Sequence, residues 1–135
     1  MCAVPPYMDE ISMRYPSLED QLKDDESIYS WFRELIRVRS EYPAIARGVT
    51  EKADYLCDAS VAGFFRRSET YGDLLIVMNT GAETAEKDLS RVIKGSKTKS
   101  KLKPVRMLTT GGESITYKKG TLTLPAYSIA VFKIS

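Results

Sequence analysis

The sequence predicts a mainly β protein: an antiparallel (Greek-key) β-sandwich of about eight strands, preceded by one long amphipathic α-helix and an irregular N-terminal arm. Two observations lead to this prediction. Apolar residues recur at helical spacing in the segment 27–48. After this segment the chain changes to short β-type runs, separated by turn residues at intervals of about 8 to 12 residues. We therefore divide the chain into segments 1–26, 27–48 and 49–135.

The N-terminal segment 1–26 contains proline breaks and shows no sustained hydrophobic periodicity. This pattern is typical of a connector rather than of a folding unit. The stretch 17–22 leaves two alternatives open, a single helical turn or part of a frayed arm.

The predicted helix has one apolar face, which consists of Ile28, Trp31, Phe32, Leu35, Ile36, Val38 and Tyr42. Acidic residues at 24–26 precede it, where negative charge suits the positive end of the helix dipole. Pro43 ends it. Most helical stability comes from packing of an apolar face, so we expect the sandwich to cover this one, with Trp31, Phe32 and Leu35 as structural residues.

Arg39 lies close to the apolar side of the same helix, one turn after Leu35. A charge on that side is costly unless it is paired. We therefore predict a carboxylate or carbonyl partner for Arg39, with contact to a substrate as the functional alternative.

Eight runs after residue 48 are predicted as strands: Val49–Leu56, Val61–Arg66, Leu74–Asn79, Thr84–Leu89, Val105–Thr109, Ser114–Lys118, Thr121–Leu124 and Ser128–Ile134. The third run is almost wholly apolar, which is typical of a central strand covered on both faces. In the last run, alternation separates Ile129 and Val131 from Ala130 and Phe132. The stretch 91–101 is predicted to be a loop.

Composition and charge exclude several classes of function. A net charge of +2 is too small to indicate a polyanionic partner. The basic residues within 91–106 lack interleaved aromatic residues and any nucleic-acid-binding motif, so we predict a solvated loop there. No apolar run approaches the roughly 18 residues of a transmembrane helix.

The chain has no histidine, which excludes the usual zinc sites and histidine-assisted nucleophilic catalysis. Its two cysteines, Cys2 and Cys57, are too few and too far apart for a disulfide scaffold. We expect Cys57 to be a small, buried or half-buried thiol, and we expect no metal and no cofactor.

The helix and the following P-A-I-A-R-G resemble the last barrel helix of the α-amylase superfamily, glycoside hydrolase family thirteen. The residues that match the family pattern are Ser27, Leu35, Ile36, Arg39, Pro43, Ala44 and Gly48. Three later stretches resemble strands of the family's C-terminal domain in the same order. They are VAGFFRR with Phe64 and Arg66, LLIVMNTG ending its strand at Asn79, and LTLPAYSIAVFKI with Pro125, Tyr127 and Ser128.

The family cleaves α-glucosidic bonds with retention, using a carboxylate nucleophile and a carboxylic acid. The catalytic motifs that carry these groups in the family do not occur in this sequence. The resemblance therefore implies a non-catalytic domain that stabilises the catalytic barrel of a parent enzyme of α-glucan metabolism, such as a bacterial enzyme acting on starch. The acidic groups 19–20 and 24–26 lack the apolar enclosure of a catalytic pair, and we predict solvated or helix-capping roles for them.

Two alternatives stay open. In the first, the sandwich is an α-glucan-binding module that stacks sugars on exposed tyrosines, with Tyr71 and Tyr117 as the first candidates; ordinary core packing explains the same residues. In the second, the chain is a stand-alone interaction domain whose helix docks a partner through Trp31 and Phe32. We expect a monomer. The parent's linkage specificity and its location, including an extracellular or cell-surface one, stay open.

Overall fold

The structure, a computed structural model, describes residues 16–94 and 101–135. Its helices are α1 (Leu18–Gln21), α2 (Ile28–Glu41), α3 (Ala44–Arg47) and α4 (Ser90–Lys94), with a 3-10 turn at Asp54–Leu56. Its strands are β1 (Val49–Lys52), β2 (Val61–Arg67), β3 (Leu74–Asn79), β4 (Ala85–Asp88), β5 (Leu102–Thr109), β6 (Thr116–Lys118), β7 (Thr121–Leu124) and β8 (Ser128–Ile134). None of the described helices is long and apolar enough to cross a membrane.

All strand pairs are antiparallel, and they form two sheets. The larger sheet has the order β1-β2-β3-β8-β5, and the smaller has the order β4-β7-β6. The predicted antiparallel sandwich is therefore confirmed. The chain divides into two compact units, one that ends at Ile36 and a second, Arg37–Ser135, that contains both sheets.

The main core lies between the sheets and is built from alternate residues of the strands. From the larger sheet it receives Phe65, Leu75, Val77, Ala130 and Phe132, and from the smaller one Leu122 and Leu124. The outer face of the larger sheet carries a second apolar cluster around Leu74, Ile76 and Val131. Strand β3 is thus covered on both faces, as its continuous apolar sequence predicts.

The outer cluster is covered by the segment that follows α2. Pro43 takes the chain out of the long helix and into the short helix α3. Ala44, 1% exposed, then packs in the same cluster as Leu74 and Val131, with Tyr42 and Ile45 beside it. Because the side chain at position 44 is small, the backbone of α3 can lie close to the outer face of the larger sheet.

The sequence predicts a covered apolar face on α2, and two of its side chains are exposed instead. Phe32 is 64% exposed and Leu35 is 41% exposed, whereas Trp31 is half-buried. The residues that pack on the sheet instead come after the helix, because Pro43 redirects the chain there. Hydrophobic periodicity shows that a helix face needs a partner, and it does not identify the partner.

The start of α2 is capped from within its own unit. The Ser27 hydroxyl accepts a bond from the Ser30 N–H at 3.2 Å and donates to the Gln21 carbonyl at 2.7 Å. Ser17 caps α1 in the same manner by accepting the Asp20 N–H. The stretch 17–22 therefore forms the helical turn that was one of its two alternatives, and residues 1–15 lie outside the described chain.

Three strands, β3, β7 and β8, have the predicted bounds. Two other predictions, for the segments 49–56 and 91–101, are wrong. Val49–Leu56 is a strand only as far as Lys52, since Ala53 and Leu56 turn inward and are each 1% exposed. The predicted loop 91–101 begins instead as α4, and 95–100 lies outside the described chain.

Candidate functional site

The first candidate surface is the apolar face of α2. Ile28 and Phe32 stand one helical turn apart and are 63% and 64% exposed. Leu35 and Ile36 continue the same face and are also exposed. A contiguous exposed apolar patch of this kind is a candidate interaction surface.

The segment after α2 is fixed to the larger sheet by polar contacts. Arg66 on β2 donates from Nε to the Ala44 carbonyl at 3.2 Å and from its guanidinium to the Thr50 hydroxyl. Glu41, the last residue of α2, pairs with Arg106 on β5 at 2.9 Å. Arg66 belongs to the motif that carried the family resemblance, and the structure shows what it does: it anchors α3.

Arg39, by contrast, is exposed. An unpaired charge costs little at an exposed position, and the predicted carboxylate or carbonyl partner of Arg39 stays a prediction. The residue of this stretch that is buried is Val38, at 4% exposed.

The second candidate surface surrounds the β2–β3 turn, where Gly72 has a φ of 78°. Tyr71 in this turn is 38% exposed. Its hydroxyl accepts a hydrogen bond from Arg47 at 2.8 Å, and the guanidinium carbon lies 5.8 Å from the ring centroid. The sequence singled out Tyr71, and the pairing with Arg47, 24 residues away, carried no sequence signal.

A cavity of about 680 Å³ opens beside this pair, lined by Arg47, Val49, Arg67, Ser68, Glu69 and Asp73. Two of the lining residues, Arg67 and Asp73, belong to a network of ion pairs. Arg67 pairs with Glu51 at 2.9 Å and with Asp73 at 2.8 Å, and it lies 4.1 Å above the Phe65 ring. The hydrogen bond to Glu51 is the main reason that the pKa of Arg67 is raised above its usual value.

Tyr117 lies on β6 in the smaller sheet and is half-buried. Its ring meets Phe132 edge-on, with centroids 5.0 Å apart and planes at 68°, and burial raises the pKa of its hydroxyl. The structure therefore places Tyr71 and Tyr117 on different sheets and engages Tyr117 in the core. Glucan binding itself stays a prediction.

Three residues predicted to be structural have different surroundings in the sandwich: Asn79, Phe64 and Tyr127. Asn79 is 2% exposed, and its side-chain nitrogen lies 2.7, 3.1 and 2.9 Å from the carbonyls of Glu83, Leu124 and Pro125. Phe64 packs in the outer cluster. Tyr127 is 56% exposed and has a φ of 49°, so its backbone rather than its ring shapes the β7–β8 turn.

Asp58, in the loop that precedes β2, forms an ion pair with Lys87 of β4 in the smaller sheet, at 2.5 Å. It also accepts the backbone N–H groups of Ser60 and Val61. The pKa of the Asp58 carboxyl lies far below the usual aspartate range. The hydrogen bond from Lys87 is the main cause, and the hydrogen bonds from the Val61 and Ser60 N–H groups add to the effect. Because the folded pKa is lowered, ionised Asp58 favours the fold at pH values above the unfolded pKa of about 3.9, and this contribution fades as the pH falls.

We expect Asp58→Asn to flatten the acid side of the curve of unfolding free energy against pH. Chemical denaturation between pH 2 and 7 measures this, and Glu86→Gln, an exposed acid on the same strand as Lys87, is the matched control. A carboxyl carbon titration of Asp58 with an ordinary midpoint would contradict the expectation.

The remaining sequence candidates are structural or solvated. The described acidic residues at 19–20 and 24–26 are exposed, and the Asp24 carboxylate accepts the Glu26 N–H at 2.8 Å. Cys57 is a half-buried free thiol, as expected, with its sulfur 3.4 Å from the Ala53 carbonyl. Within 16–94 and 101–135, no three cysteine or acidic residues are grouped as a metal site would require.

Comparison with solved structures identifies proteins that share this fold. Eubacterium rectale Amy13B superposes with a TM-score of 0.83 at 31% identity, over 98% of this chain and 24% of that one. Isomaltulose synthase from Erwinia rhapontici gives 0.65 at 20% identity, over 98% of this chain and 21% of that one. Trehalulose synthase MutB from Pseudomonas mesoacidophila gives 0.66 at 22% identity, over 98% and 21%.

A scan against protein-family models and a search of curated proteins gave no match. The chain spans about a quarter of the length of the solved enzymes. The fold and the anchored α3 segment thus define a sandwich domain of the kind found within much longer carbohydrate-active enzymes. The predicted resemblance of this chain to the C-terminal region of enzymes of the α-amylase superfamily, glycoside hydrolase family thirteen, is confirmed by these structural neighbours.

Proposed function

We propose that this chain is the non-catalytic C-terminal β-sandwich domain of an α-amylase-type glycoside hydrolase acting on α-glucans, and that it stabilises the catalytic barrel of that enzyme. The observation that supports this most is the exposed apolar face of α2, centred on Ile28 and Phe32. The family's catalytic barrel is the partner that the resemblance implies for this helix.

Two further observations support the proposal. The similar enzymes are about four times as long as this chain, which leaves ample length for a barrel. The segment after α2 is tied to the larger sheet through Ala44, Arg66 and the Glu41–Arg106 pair.

A chimeric enzyme tests the stabilising role. This chain replaces the segment of Eubacterium rectale Amy13B that it matches, and Ile28→Gln with Phe32→Gln is introduced in the chimera and in the isolated chain. We expect the double substitution to lower the unfolding free energy of the chimera by roughly 3 kcal/mol, because two buried apolar side chains are lost from an interface. In the isolated chain the same side chains are exposed, so the change should stay within about 0.5 kcal/mol.

Arg33→Gln, which alters an exposed polar residue of the same helix, is the control in both proteins. Equal effects of the double substitution in chimera and isolated chain would contradict a barrel interface. The isolated chain should also release no reducing sugar from starch or maltooligosaccharides, and clear turnover would refute the non-catalytic assignment.

A further inference from the structure

We propose that the outer edge of β1 is a docking site for an extended acidic segment of another protein, which joins the five-stranded larger sheet as an additional antiparallel strand. β1 is the end strand of this sheet, so one of its long sides has no neighbouring strand among the described residues. All four of its residues are exposed. The edge shares no residue with the apolar face of α2, so the barrel contact can fail while this contact holds, and the reverse.

The backbone groups that a partner can reach follow from the pairing of β1 with β2. The Ala53 N–H donates to the Gly63 carbonyl at 3.0 Å, which marks this position of the register as a hydrogen-bonded one. Such positions alternate along an antiparallel pair, so Glu51 also faces β2. Thr50 and Lys52 lie at the intervening positions, and their N–H and C=O groups point to the open side. An extended chain has donors and acceptors at the spacing of these groups, about 7 Å.

The opposite edge of the same sheet is closed to such a partner. Lys101 and Ser135 exchange both of their backbone hydrogen bonds, and Pro104, three residues further along β5, therefore faces away from β8. Proline has no N–H to offer there. The register then shifts between Pro104 and Arg106, which interrupts the spacing of the outward groups. Proline and bulges are devices that keep edge strands from pairing with other chains. β1 has neither, and its register with β2 is continuous.

The side chains beside the open edge select the charge of the partner. Thr50 stands opposite Arg66, on the same face of the sheet, and its hydroxyl accepts a hydrogen bond from the guanidinium. Within the described chain the Arg66 guanidinium bonds to this hydroxyl and to the Ala44 carbonyl, and to no carboxylate. Lys52 lies on the same face and pairs with Asp54 at 2.7 Å, in an exposed ion pair of the kind that contributes little. Acidic side chains opposite Thr50 and Lys52 would therefore gain cross-strand charge pairs.

The partner that fits these groups is an extended segment with acidic residues at alternate positions. Two glutamates separated by one residue place both carboxylates on the face of Arg66 and Lys52. The residue opposite Val49 lies on the other face, where Val49 is 73% exposed and favours an apolar neighbour. In the antiparallel direction the order is Glu-x-Glu-Val. A second copy of β1 fits less well, because pairing Thr50 with Lys52 of the copy sets two Glu51 side chains opposite each other.

Titration of the ¹⁵N-labelled chain with the capped peptide Thr-Glu-Thr-Glu-Val-Thr tests the site. We expect saturable shifts in the amides of Thr50, Glu51 and Lys52. N-methylation of both glutamates should abolish binding, because their N–H groups pair with β1, whereas N-methylation of the threonine between them should not. Lys52→Glu should weaken binding at least tenfold. Lys103→Glu, the same change on the opposite edge strand β5, is the matched control and should leave binding unchanged.

A peptide with lysines in place of the glutamates is the control for charge, and equal shifts with it would overturn the acidic partner. Equal binding of the peptide methylated on both glutamates would show that the contact is not a strand pairing. Absence of shifts at millimolar peptide, or shifts confined to the β5 amides, would refute the choice of edge. Shifts of Thr50 and Lys52 that depend on the concentration of the chain alone would identify a second copy as the occupant, and this would also contradict the proposal.

Discussion

Replacing Phe132 by alanine is expected to lower the free energy of unfolding by about 4 kcal/mol. Phe132 is 0% exposed and lies on β8, between β3 and β5 of the larger sheet. Its ring also meets the edge of Tyr117 across the sandwich. Truncation removes the apolar contacts of a full ring and leaves a cavity that two hydrogen-bonded sheets cannot close by local movement.

Phe32→Ala is the matched control, because the same residue type is 64% exposed on α2. We expect this change to stay within about 0.5 kcal/mol in the isolated chain. Urea denaturation, followed by far-ultraviolet circular dichroism, measures both. Similar losses for the two variants would show that the inner cluster is not the main source of stability.

The strands could be predicted where the pattern of apolar residues has one physical explanation. A continuous apolar run fixed β3, and strict alternation fixed the faces of β8, with Ala130 and Phe132 inward and Ile129 and Val131 outward. Hydrophobic periodicity does not predict the point at which a run of β-type residues stops pairing with a neighbouring strand. Ala53 and Leu56 enter the core from a 3-10 turn, and the residues around them look like a continuing strand.

The candidate sites were harder to predict because their partners lie far apart in sequence. An exposed and a core-packed tyrosine look alike in sequence, so Tyr71 and Tyr117 received the same interpretation. The sequence likewise gave no sign that Arg47 meets Tyr71 or that Arg66 holds α3, since each contact spans more than 20 residues. Long-range polar contacts of this kind depend on the register of the sheet and not on local spacing.

Asn79 presents the opposite case, a residue singled out by a motif whose role the structure then explains. Its side-chain nitrogen binds carbonyls at the β3–β4 turn and at the end of β7, in different sheets, and its oxygen accepts the Gly81 N–H at 3.0 Å. All of this takes place at a site that is 2% exposed. One buried amide therefore joins the two layers where the chain passes between them.

Asn79→Ala is expected to cost about 3 kcal/mol of unfolding free energy, because buried carbonyls and an N–H group lose their partner. Glu83→Ala is the control, since it removes an exposed side chain and keeps the carbonyl that Asn79 binds. Asn79→Asp gives a sharper test. A carboxylate facing these carbonyls should have a raised pKa, so the folded state should hold a proton that the unfolded state has already lost, and stability should fall as the pH rises from 4 to 7. A pH-independent loss in this variant, equal to that of Asn79→Ala, would show that the carbonyls are satisfied by water and that the amide is not the link between the sheets.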